Sequence, residues 1–122
     1  MPKSESFQAT FKRLKGVLKE YEKRMLLKAN TPENYYLNTP HTEKYQKELF
    51  FSAVQIKKNY VSFHLMPVYM FPELLKDVSS MLKKRMQGKS CFNFKTIDDD
   101  LLRELAQLTK KSFERLKKEK LI

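Results

Sequence analysis

An α+β domain, with a small antiparallel sheet packed against helices, is the fold this sequence predicts. Three observations carry it. Residues 48–66 alternate apolar and polar side chains on either side of a two-residue turn, the pattern of a β-hairpin. Residues 5–28 place apolar side chains three and four apart, the spacing of an amphipathic helix. A Leu-rich run after Thr96 repeats that helical spacing. The expected order is helix, strands, helix, strand, helix, helix.

The 122 residues suit one domain, and 41% hydrophobic content with nine Phe and six Tyr supplies a core without staples. Such a composition offsets the entropy of folding, unlike that of a disordered chain. The net charge is +11, which attracts anionic partners at long range and says nothing about fold. Cys91 is the single cysteine, so no intrachain disulfide forms. No apolar run reaches transmembrane length, and the first residues lack the apolar stretch of a secretory signal. The expected location is therefore cytoplasmic. Two glycines in all leave no room for a phosphate-cradling glycine loop, and no nucleophile elbow or zincin helix is present.

In the first helix, over 5–28, Phe7, Phe11, Leu14, Leu18, Tyr21 and Met25 share one face, with Ser4 or Ser6 as cap. Thr31-Pro32 and Thr39-Pro40 punctuate the next stretch, with Tyr35-Tyr36-Leu37 as a short strand between them. His41 falls in a polar loop. The hairpin follows. Lys57 facing Tyr60 pairs Ile56 with Val61, Val54 with Phe63 and Ser52 with Leu65, an almost purely apolar face destined for the helices. The second face then carries Phe51, Ala53, Gln55, Tyr60, Ser62, His64 and Met66. Pro67 ends the second strand. Residues 72–87 read as a helix, opened by Pro72, striped by Leu74, Leu75, Val78, Met81 and Leu82, and stopped by Gly88. Residues 90–95 alternate as a strand, with Phe92 and Phe94 one way and Cys91, Asn93 and Lys95 the other. Thr96 reads as the cap of the next helix, and a further basic helix with Phe113 and Leu116 closes the chain.

The segments Tyr60-Val61-Ser62-Phe63-His64-Leu65-Met66-Pro67 and Gly88-Lys89-Ser90-Cys91-Phe92-Asn93-Phe94, with their spacing and the Leu-rich helix after them, resemble the YdhG-like family of domains of unknown function. The likeness runs from the first helix to about Leu108. It implies a single domain over 1–122 with helices against an antiparallel sheet. Some members are described as frataxin-like iron-delivery proteins, so metal delivery is one function the resemblance implies. Delivery by that route leans on an acidic ridge, because hard cations take carboxylate oxygens. The one dense acidic run here is Asp98-Asp99-Asp100. The family brings no catalytic residues to carry over.

Each candidate site has a plainer structural counterpart. Asp98-Asp99-Asp100 would bind a metal or, more simply, start a helix, where carboxylates meet the free N–H groups and the dipole. Cys91 and His64, both on strands and both turned from the apolar face, would meet if their strands are neighbours. Such a pair is a nucleophile and base or a buried thiol and a hydrogen-bonded sheet histidine. It is too small a set for structural zinc. The leading reading is a non-enzymatic binding or carrier domain. Its working surface is the second sheet face around Tyr60, Ser62, His64, Met66, Cys91 and Asn93, closed by Tyr35 and Tyr36. The ligand stays open among a small molecule, a metal and a protein partner, and monomer and homodimer both fit. No cofactor, catalytic residue or metal ligand is assigned. The second reading is a nucleic-acid-associated protein acting through Lys12, Lys15, Lys19, Lys110, Lys111, Lys117 and Lys118. The third is an enzyme using Cys91 and His64.

Overall fold

The structure, a computed structural model, describes residues 3–122. Its elements are helix α1 (Lys3–Lys19), strands β1 (Leu26–Thr31), β2 (Asn34–Asn38), β3 (Phe50–Ile56) and β4 (Val61–Leu65), short helices α2 (Met66–Met70) and α3 (Ser80–Lys83), strands β5 (Met86–Gln87) and β6 (Cys91–Phe94), and helix α4 (Asp99–Lys118). Two 3-10 turns, Glu22–Arg24 and Pro72–Leu75, link them. The six strands form one sheet in the order β1-β2-β3-β4-β6-β5, with every pair antiparallel. The α+β fold expected from sequence is the fold observed. Among the described residues no helix is long and apolar enough to cross a membrane.

The hairpin forms in the expected register. Ile56 pairs with Val61, Val54 with Phe63 and Ser52 with Leu65, and the Lys57 N–H donates to the Tyr60 carbonyl at 2.8 Å. Val54, Val61, Phe63 and Leu65 are fully buried, joined by Phe92 and Phe94 of β6 and by Tyr35 and Leu37 of β2. Against this face α1 lays Phe7, Phe11, Leu14 and Leu18, and α4 lays Leu101, Leu105, Leu108, Phe113 and Leu116. Val68 of α2 and Leu82 of α3 enter the same cluster. All helices therefore bury their apolar sides on one face of the sheet.

Several elements depart from the sequence reading. The first helix ends at Lys19 rather than 28. Tyr21 and Met25 continue its spacing and are buried, but a 3-10 turn and an extended Met25 bring them there. The chain then enters β1, an edge strand with little burial, which explains the absence of an alternation signal. Ser4 and Ser6 lie within α1, and the residues before Lys3 fall outside the described chain. The helix expected over 72–87 is broken at Ser79, whose extended backbone caps α3 through its hydroxyl. The Ser79 N–H and hydroxyl both donate to the Glu104 carboxylate of α4 at 2.6 Å, docking the break onto that helix. Met86 and Gln87 then form β5, so Gly88 stops no helix. It takes φ of +79° in the β5–β6 turn, where a side chain would be strained. The cap of α4 is Asp98, accepting from the Leu101 N–H at 2.8 Å, and not Thr96. The two expected terminal helices are one.

Candidate functional site

The face of the sheet turned from the helices gathers the side chains the sequence singled out. Its residues lie in rows across the strands, because directly paired residues point to the same side. One row runs Thr31, Asn34, Gln55, Ser62, Asn93. The next runs Ala29, Tyr36, Ala53, His64, Cys91, Gln87. A third holds Asn38 and Phe50.

Phe50 reaches this face through a β-bulge. Between Leu37 and Asn38 the register of β2 on β3 slips, so Ser52 pairs with Leu37 but Phe50 with Asn38. The extra residue, Phe51, turns into the core, where it is fully buried against Tyr21 at 5.9 Å and Phe113 at 6.3 Å between ring centroids. Strict alternation puts Phe51 on the second face; the bulge puts Phe50 there instead. Phe50 stacks on Tyr36 at 4.7 Å and 29° and meets the His64 ring edge-on at 6.3 Å.

Three further expected members stand elsewhere. Tyr35 points into the core and donates its hydroxyl to Glu22 at 2.6 Å; burial and that carboxylate both raise its pKa. Met66 begins α2 and so leaves the strand alternation. Tyr60 sits at the hairpin turn, at the rim of the face. Ser62, His64, Cys91, Asn93 and Tyr36 come together as neighbours. Sequence reading passed over Phe50, Asn34, Gln87 and Lys57, although Lys57 directly follows the alternation that includes Ala53 and Gln55.

β4 and β6 are neighbours, so His64 and Cys91 pair directly. The Cys91 Sγ lies 2.8 Å from His64 Nδ1, and the Ser62 Oγ lies 3.1 Å from His64 Nε2. Burial, aided by the positive charge of Lys57, lowers the His64 pKa below its usual 6.5. Burial raises the Cys91 thiol above its usual 9.0, against smaller opposing effects of Ser62 and Lys57. Both groups are thus neutral at pH 7. A nucleophilic cysteine needs the opposite, a thiolate favoured by its surroundings. Among the described residues no three His, Cys, Asp or Glu side chains converge as a metal set. Asp98, Asp99 and Asp100 serve α4 instead: Asp98 caps it, Asp99 pairs with Arg13 and Asp100 with Arg103.

The amides tie the face together. Gln55 donates to Asn34 at 3.1 Å and Asn93 to Gln87 at 2.6 Å. Among the described residues the buried side-chain polar atoms without a partner are Asn38 Oδ1 and Asn93 Oδ1, both of residues on this face.

Several grooves lie elsewhere, and no open-face side chain lines them. One of about 670 Å³ runs between α4 and the turn that follows α1, where Glu20 and Glu114 are interleaved with Arg103, Lys110 and Lys117. Of the α1 lysines, Lys15 donates to Asn30 at 2.9 Å and lies over the Tyr35 ring, and Lys19 pairs with Glu22 at 3.7 Å. No family model, curated protein or solved structure matches the chain.

Proposed function

We propose that the protein is a non-enzymatic binding domain whose working surface is the uncovered face of its sheet. The observation that carries this is the one-sided packing of the helices. They bury their apolar stripes on one face and leave Tyr36, Phe50, Ser62, His64, Cys91 and Asn93 together on the other. Aromatic side chains beside convergent polar groups are the usual means of holding and orienting a ligand.

The test is an NMR titration of the ¹⁵N-labelled protein with a library of small aromatic amides and heterocycles. Shifts clustered at Tyr36, Ala53, Ser62, His64 and Cys91 are expected. Shifts confined to the groove around Tyr21, Arg103 and Phe113 would move the working surface to the helical side and overturn the proposal.

A further inference from the structure

We propose that the uncovered sheet face takes single-stranded nucleic acid, with bases stacked on the Phe50–Tyr36 platform and phosphates held by Lys57, Lys58 and Lys95. This rests on the reading of that face as the working surface and names its ligand.

Charge selects the ligand first. The strands contain no Asp or Glu at all, in a chain that has 14 of them. The acids lie instead on α4 and in the turns and loops, with Glu5 alone on α1. Positive charge gathers at one end of the face, to which the β1–β2 turn also brings Glu33. The β3–β4 turn supplies Lys57 and Lys58, and Lys95 follows β6 at that same end, where Val61 pairs with Phe94. All three are exposed. Lys57 depresses the protonation of His64 and stabilises the Cys91 thiolate, so its charge is felt across the face.

Ring geometry selects it next. Phe50 and Tyr36 stack with each other and Phe50 meets His64 edge-on, a half-buried aromatic surface on β2 and β3 whose Phe50 lies at the end of β3 opposite Lys57. Every base has a π-face, so such a platform accepts bases with little regard to sequence. A four-stranded sheet with central aromatics holds about two or three bases. Here β2, β3, β4 and β6 are the four, and the Asn34 Nδ2 and Gln55 Oε1 groups left over from their mutual hydrogen bond are able to bond base edges.

Other occupants fit less well. A second copy docked face to face would bring two sets of Lys57, Lys58 and Lys95 into one interface. A duplex hides its bases from a stacking platform.

The experiment measures fluorescence anisotropy of a fluorescein-labelled 12-nucleotide oligo(dT), and of a duplex of equal length, at about 50 mM and 200 mM salt. The expected result is tighter binding of the single strand, weakening with salt. Phe50→Ala or Tyr36→Ala should weaken it at least about five-fold, from the loss of base stacking. The pair Lys57→Glu and Lys58→Glu should weaken it about ten-fold or more and flatten its salt dependence. The pair Lys110→Glu and Lys117→Glu on α4 should change it less than about two-fold, because those lysines do not face the sheet.

Loss of binding only in the α4 pair, equal binding of the duplex, or unchanged affinity in both aromatic variants would overturn the assignment. So would absence of oligonucleotide binding at low salt. Were aromatic fragments then still to shift Tyr36 and His64, the working surface would stand and only its ligand would fall. Binding of a polyglutamate peptide to that face in place of the oligonucleotide would replace the ligand with an acidic protein segment.

Discussion

Truncating Phe51 and Phe50 in turn tests the feature that shapes the open face, the bulge in β3. With the bulge, Phe51 is fully buried between Tyr21 and Phe113, and Phe50 is half-exposed over Tyr36. Removing a fully buried Phe side chain loses its transfer free energy and leaves a cavity, together about 3–5 kcal/mol. Two edge-to-face partners place Phe51→Ala toward the upper part of that range. Phe50→Ala loses one stacked neighbour and partial burial, about 1 kcal/mol. With a urea m-value of about 2 kcal/mol/M, the first variant moves the unfolding midpoint down by about 2 M and the second by about 0.5 M. The assay is urea unfolding followed by circular dichroism. Without the bulge, alternation would exchange the two residues. A larger loss in Phe50→Ala than in Phe51→Ala would therefore refute the bulge and the aromatic platform built on it.

Three further outcomes are expected. Asp98→Ala should cost about 1 kcal/mol by urea unfolding through loss of the α4 cap, while Thr96→Ala should stay within about 0.5 kcal/mol. The His64 imidazole should titrate below 6.5 by NMR, and Lys57→Gln should raise its midpoint. Because the unfolded chain binds that proton at higher pH than the folded one, the His64 contribution to stability is constant above about pH 7. It is lost as pH falls through 6.5 toward the folded value, so the wild type should lose more stability than His64→Gln between about pH 7 and pH 5. The Cys91 thiol should react with iodoacetamide with a pH midpoint above 9, and a midpoint near 7 would return a nucleophilic role to it.

The sequence made the pairing register of β3 with β4 legible, because period-two alternation and a two-residue turn fix register together, while the bulge that turns Phe51 into the core left no trace in that alternation. Where other features failed, each had a local physical cause. β1 is an exposed edge strand, so burial wrote no pattern into residues 26–31. Residues 74–82 keep helical spacing without forming one helix, since Ser79 is drawn to Glu104 across the chain, a tertiary contact with no local trace. The apolar gap from Leu108 to Phe113 reads as a break between helices. Thr109 and Ser112 fill it, buried and satisfied by donating to the Leu105 and Leu108 carbonyls at 2.8 Å. At the site, alternation sets Cys91 and His64 away from the apolar face, but only the strand order makes them neighbours. Tyr35 and Tyr36 adjoin in sequence and so face opposite ways. Their pairing with Val54 and Ala53 decides which one the core takes.

Both functional proposals require that one face of the sheet be uncovered in solution, and paramagnetic relaxation by a soluble gadolinium chelate measures this directly. Ring protons of Tyr36 and His64 should broaden strongly, while those of Tyr35 and Phe63, buried on the helical face, should stay sharp. Equal protection of both sets would mean that a second copy or another segment covers the face, and would contradict the account.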